Sequence, residues 1–239
     1  MKLVSKATDK IGWDFAPHEN FLTNQLRPLL LTAAGLAGHE QTVTEAKRQF
    51  TAFIKDGDKK AVHPSLRRTV FSIAVKNGGH SEYDALKKEY SNTTSVDGTE
   101  IILASLGRLQ TSELAKDYLK WTFSGPVAMQ DVHTPASALS SNSKVRKDVW
   151  TFVQENWQML EEKLGGNKIM LERYLRMSLS KFASHQTEKE IADFFKDKDQ
   201  SGFDRGLGIV SDNIKANARY RESDVEVIRE WLQAHGYIQ

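Results

Sequence analysis

The chain has no cysteine in its 239 residues. That excludes a disulfide framework and every thiolate-based zinc, iron–sulfur or nucleophilic chemistry, and it fits a reducing, cytoplasmic setting. No stretch approaches the roughly 18 uninterrupted apolar residues of a transmembrane helix, so no membrane partner is expected. The opening MKLVSKATDK lacks the apolar core of about 7–15 residues that marks a secretory signal. A basic excess is missing as well: 33 Lys and Arg against 31 Asp and Glu leave +2. A dedicated nucleic-acid binder carries more, so no nucleic-acid partner is expected. G-x-S-x-G, Walker A and dinucleotide-binding fingerprints are all absent, and Gly206-x-Gly208 follows no strand and has no third glycine.

What is present is helical period. Between 143 and 164, Val149, Phe152, Val153, Trp157, Leu160 and Leu164 recur at spacings of three, four and their sums, which puts an apolar stripe on one helix face. Gly165-Gly166 then ends the run. Thr42-x-x-Glu45, Thr187-x-x-Glu190 and Ser223-x-x-Glu226 each match a capping box, a helix start signal. The runs lie near 20–36, 41–55, 64–77, 81–91, 97–109, 111–124, 128–140, 143–164, 167–183, 187–197, 203–220 and 223–235. No period-2 run bounded by hairpin turns interrupts them. The expectation is an all-α chain of antiparallel helix pairs, an irregular HEAT/armadillo-like superhelix forming one domain over 1–239. A compact helical bundle is the alternative. Trp121, Phe123, Trp150, Phe152, Trp157, Phe194, Phe195 and Trp231 fall mostly in these runs and read as core.

Three patterns imitate sites. His39-Glu40-Gln41-Thr42-Val43 approaches HExxH, whose two imidazoles one helical turn apart bind zinc while the Glu activates water. Val43 stands where the second imidazole must be and cannot ligate. Asp197-Lys198-Asp199-Gln200-Ser201-Gly202 opens like a calcium loop, but the position of the closing bidentate Glu is Gly208. It reads as a polar turn with Ser201 or Asp204 capping the next helix. Arg67-Arg68 and Lys144 to Lys147 are short basic groups that read as solvated helix faces or helix starts rather than anion sites. No catalytic and no metal-ligating residue is therefore assigned.

A series of motifs gives a more specific lead. Leu26-Arg27-Pro28-Leu29-Leu30, Ala37-Gly38-His39-Glu40 and Glu45 to Phe50 resemble a stretch of the M1 zinc aminopeptidases. His63-Pro64-Ser65-Leu66-Arg67 with Thr69-Val70-Phe71, then Gly78-Gly79 and Tyr83-Asp84-Ala85-Leu86, continue it in order. Leu103 to Arg108, Trp150 to Trp157, Phe194-Phe195, Asp204-Arg205-Gly206-Leu207, and Arg221 to Val225 before Trp231-Leu232 complete it. Each motif is weak alone, but the ordered series spans nearly the whole chain. It points to the endoplasmic-reticulum-aminopeptidase-like C-terminal helical domain, of the puromycin-sensitive and leucyl type.

The resemblance implies a non-catalytic domain that closes a substrate chamber, limits access and contributes to peptide binding. The zinc cofactor, its HExxH and the GAMEN motif belong to a preceding catalytic domain, which is then a partner along with the peptide substrate. The chain is expected to begin partway into the helical domain. An exposed interdomain surface would leave an apolar patch able to form a homo-oligomer. Arg27, Arg108 and Arg146 are the candidates for contact with a peptide carboxylate, chosen for charge near expected helix ends. The rival reading is a stand-alone helical-repeat scaffold for a protein or peptide partner; an autonomous hydrolase would need a nucleophile–base pair that the sequence does not show.

Overall fold

The computed structural model describes residues 4–238, which form thirteen α-helices joined by short turns, with no strand among the described residues. The chain divides into two compact units, one through Gln110 and one from Thr111.

In the first unit, α1 (Ser5–Ile11), α2 (Phe21–Leu36), α3 (Glu40–Phe50), α4 (Arg67–Lys76), α5 (His80–Asn92) and α6 (Val96–Leu106) follow one another. Helix α4 packs against α2 on one side and α6 on the other, and α3 and α5 also pack on it. Its central place shows in its burial: every residue from Thr69 to Val75 is buried, as expected of a helix surrounded on all sides. The crossing with α2 is close because Gly35 has no side chain: a Cβ there would lie 2.3 Å from Cδ1 of Ile73, itself fully buried. After α3 the backbone widens into a π turn over Thr51–Lys55. Phe53 from this turn and Phe50 both meet the edge of Phe71, at 5.5 and 5.8 Å between centroids.

The second unit holds α7 (Ser112–Phe123), α8 (His133–Ser140), α9 (Arg146–Glu155), α10 (Trp157–Leu164), α11 (Lys168–Leu179), α12 (His185–Phe195) and α13 (Asp204–Ala234). Helix α11 packs against α8 and α13, while α7 and α8 pack on α9, and α12 on α13. Gly206 lies where α13 meets α11, with room for no Cβ beside the Glu172 side chain. Trp150, Trp157, Phe194, Phe195 and Phe203 form one cluster, with centroids 4.9 to 6.3 Å apart.

Several boundaries differ from the sequence expectation. The 143–164 run is two helices, because the backbone leaves helical geometry at Asn156. The Asn156 amide donates to the Phe152 carbonyl at 2.9 Å, an instance of a short polar side chain competing with the helix backbone. The runs at 203–220 and 223–235 are one helix, since nothing in Arg221-Glu222-Ser223 breaks it. Ser223 therefore sits mid-helix and bonds Tyr220 and Asp224 instead of capping. The other two capping boxes shift too. His39 is the N-cap of α3, with its ring 2.8 Å from the Thr42 hydroxyl, and Ser184 caps α12 by accepting from the Thr187 N–H. Neither Ser201 nor Asp204 caps α13, whose N-cap is Phe203. Trp231 is no core residue: it is 51% exposed and stacks on His235 and Tyr237.

Candidate functional site

The first unit presents a groove of about 670 Å³ across α2, α4 and α6. Pro28 lies in its wall. Lying inside α2, it has no N–H to give the helix, and its carbonyl accepts from the Thr69 hydroxyl of α4 at 3.4 Å. Thr69 also shares a 2.8 Å hydroxyl bond with Thr32, and Ser72 bonds Ser105 one helix further on. These hydroxyls satisfy each other between the helices, leaving Leu29, Ala33 and Ile101 as the apolar lining. Charge sits at the α6 side, where Arg68 pairs with Glu100 at 3.0 Å in an exposed contact and Asp97 and Arg108 complete the wall.

The structure places the three candidate arginines differently. Arg108 follows α6, lines this groove and is half-buried. Its guanidinium has no hydrogen-bond or ion-pair partner among the described residues. Arg27, one residue before Pro28, is 1% exposed and fully engaged. Both oxygens of Glu19 accept from it at 2.5 and 2.6 Å, the carbonyls of Ile11 and Gly12 accept at 3.2 Å, and the Phe15 ring lies 4.4 Å away. The bond from Arg27 holds the Glu19 carboxyl below its usual range, against the opposing effect of burial. Arg146 belongs to the second unit. Its Nε donates to the Ser140 carbonyl at 2.5 Å, and burial without a carboxylate partner pulls its pKa down. The groove therefore gathers one of the three, Arg108, and adds Pro28, Thr32, Thr69, Arg68 and Glu100. Those additions come from segments 32 to 41 residues apart, and no local motif signals such pairings.

The donor set for zinc does not fit. His39 is tied to Thr42 and lies 3.8 Å from Asp9, Val43 cannot ligate, and no group of three His, Asp or Glu able to hold a metal occurs among the described residues. The calcium-like loop is likewise committed elsewhere, because Asp199 accepts the backbone N–H and hydroxyl of Ser201, which hold its pKa down. No helix among the described residues is long and apolar enough to cross a membrane.

A family model described as the ERAP1-like C-terminal domain matches residues 1–216. The chain belongs to that family. Aminopeptidase 2 of Candida albicans is 30% identical to this ERAP1-like domain over 236 residues, covering 98% of the chain and 25% of that protein. The alanine/arginine aminopeptidase of Saccharomyces cerevisiae is 27% identical over 239 residues, all of this chain and 28% of its own length. Human aminopeptidase N is 25% identical over 187 residues, covering 77% of the chain and 19% of that enzyme. The chain thus spans about a quarter of the length of these curated relatives, and the resemblance to the C-terminal helical domain of M1 aminopeptidases holds.

Proposed function

We propose that this ERAP1-like domain is the non-catalytic helical part of a cytoplasmic zinc aminopeptidase, closing its substrate chamber and helping to hold the peptide. The supporting observation is the α2–α4–α6 groove, with an apolar lining and a guanidinium, Arg108, that no acceptor among the described residues occupies. A peptide carboxylate is the natural complement of such a fork. In this reading the helix rows form an irregular HEAT/armadillo-like superhelix and 1–239 works as one domain, while the zinc and the bond-breaking chemistry belong to the catalytic part of the parent protein.

Helix α2 supplies the docking side. Phe21, Leu22, Leu26 and Leu29 are 71, 72, 47 and 68% exposed along its length, an apolar stripe of the kind that marks an interaction face. The catalytic portion covers it in the parent protein, and copies of the isolated chain pair through it.

Mixing the chain with the catalytic portion of Candida albicans Aminopeptidase 2 tests this reading. Stable association, with peptide hydrolysis raised above that of the catalytic portion alone, is the expected result. Failure to associate would favour the stand-alone scaffold, and zinc-dependent release of N-terminal residues by the chain alone would defeat the non-catalytic assignment. Within the groove, Arg108→Met is expected to weaken peptide binding several-fold with helicity unchanged.

A further inference from the structure

The two adjacent arginines at the start of α4 have opposite surroundings. Arg68 is exposed and paired with Glu100, as a solvated helix face predicts. Arg67 is not solvated in that way: its Nε is buried and has no hydrogen-bond partner. No carboxylate among the described residues pairs with its guanidinium. A guanidinium offers five N–H donors and stays charged, and buried donors are nearly always paired. In a groove wall such a donor is placed to meet an acceptor.

The neighbours of Arg67 point the same way. Its guanidinium lies 5.3 Å from the centroid of Phe53, and the Lys59 ammonium lies 4.4 Å from the same ring. Arg67 and Lys59 both line a groove of about 810 Å³, formed by the Trp13–Phe15 segment, α3 and residues 59–67. Lys60 lines it as well, exposed and with an ammonium that has no partner among the described residues. His63 is stacked on Phe15 at 3.8 Å, and its Nδ1 accepts from the Ser65 N–H at 3.3 Å, which leaves the ring proton on Nε2 as a donor. Acceptors are scarce by comparison. Glu45 is already taken by Arg48 at 2.6 and 2.8 Å and by Gln49 at 2.9 Å, leaving Asp14 at the exposed rim.

We propose that this groove is a carboxylate-binding site, with the Arg67 fork as the central contact and Lys60 and His63 as flanking donors. The planar guanidinium matches a carboxylate through two parallel hydrogen bonds, and partial burial keeps the attraction from being fully screened. The carboxylate comes either from an acidic side chain of a peptide or from a free small acid. The site is separate from the Arg108 groove, with which it shares only Pro64, and does not depend on the function proposed above.

The test uses the 239-residue chain and follows the Arg67 Nε–H resonance by NMR at low salt. The probes are acetyl-Ala-Ala-Glu-Ala-amide, the same peptide with Gln in place of Glu, and acetate. The Glu peptide is expected to shift the Arg67 signal saturably and the Gln peptide to leave it in place. Raising the salt to about 0.3 M should weaken binding several-fold. A shift with acetate as strong as with the Glu peptide identifies free acids as the source, and a shift with the peptide alone identifies acidic peptides. Arg67→Met, followed through the backbone amide signals of Lys60 and His63, should reduce affinity of the effective probe for this groove about tenfold, while Arg108→Met leaves affinity at this groove unchanged. Should Arg67→Met disturb folding, Lys60→Gln at a fully solvated position is expected to weaken binding about threefold with the far-UV circular dichroism spectrum intact. No saturable shift with either carboxylate, equal binding of the Glu and Gln peptides, or unchanged affinity in both Arg67→Met and Lys60→Gln would overturn the proposal.

Discussion

Two links, one in each unit, are fastened with different chemistry. In the first, the link between α1 and α2 is tied down by a buried charge: Arg27 reaches the Ile11 and Gly12 carbonyls, the Glu19 carboxylate and the face of Phe15. In the second, the link between α12 and α13 is held by rings, with Phe195 and Phe203 packed against Trp157. The link before α2 has extended and bent backbone whose carbonyls need donors, and one guanidinium supplies several from a single side chain. Around α12 the helices satisfy most of their own backbone, so shape and buried area suffice. A donor-rich side chain is thus used where backbone must be satisfied, and an aromatic one where volume must be filled.

The largest effect is expected from emptying the aromatic cluster. Phe195 is 1% exposed and touches four rings. Phe195→Ala should cost about 4 kcal/mol, from lost transfer energy plus the cavity left behind. Hydrogen exchange should show faster opening of α12 while α2 and α4 keep their protection. Equal loosening of both units would break the comparison.

Arg27→Met comes next, at about 2 kcal/mol, because it leaves the Ile11 and Gly12 carbonyls without their donor. Here α1 and α2 should lose protection and α12 should not. Acid separates the two devices further. The Glu19 carboxyl is held below its usual range chiefly by its bond to Arg27. Its contribution is therefore present above the ordinary carboxylate pKa and lost as pH falls through the lowered folded value. The five rings of the cluster have no group that titrates in that window. Acidification should loosen α2 in the wild-type chain, and this pH dependence should be weaker in Arg27→Met.

The caps provide a smaller, matched pair. Asn20 caps α2 by accepting from the Leu22 N–H at 2.8 Å, while Ser184 caps α12 with a longer 3.4 Å bond from Thr187. Each changed to Ala should cost about 1 kcal/mol, with Asn20→Ala the larger because its bond is shorter. Urea midpoints at constant slope would show the order. A larger loss from Ser184→Ala would mean that the aromatic unit relies on its caps more than the charged one does.

These contrasts also show what the sequence could and could not convey. Helical period located nearly every helix, and Gly165 stops α10 as glycine at that place predicts. The misplaced limits lie where a side chain redirects the backbone. Asn156 turns back to its own helix, and Ser223, which resembled a start, is one more residue inside α13. Sites were harder to see because their partners are distant in sequence. Arg27 looked like a free charge near a helix end until Glu19 and two carbonyls enclosed it. Arg67 and Arg68, indistinguishable as neighbouring letters, separate only when packing half-buries one and leaves the other in water. The ordered motif series was legible because family spacing survives where pairwise contacts cannot be read.

The finest test places a carboxylate of the second unit beside Glu19. Glu188 of α12 accepts from the Ser211 hydroxyl of α13 at 2.6 Å and lies 3.3 Å from the Lys215 ammonium. The Ser211 bond is the main cause of its lowered pKa, with burial opposing and Lys215 adding to it. Like Glu19, it stabilises the fold above the ordinary carboxylate range and stops doing so as pH falls through its folded pKa. Ser211→Ala should move the Glu188 titration upward, toward the usual value, in an NMR titration of the carboxyl carbon. The movement should be smaller than that of Glu19 in Arg27→Met, because a neutral hydroxyl gives a weaker bond to a carboxylate than a guanidinium does and Lys215 remains. An equal or larger movement at Glu188 would mean that a single hydroxyl between two helices of the aromatic unit matches the buried arginine of the other, and the division between a charged unit and an apolar one would no longer hold.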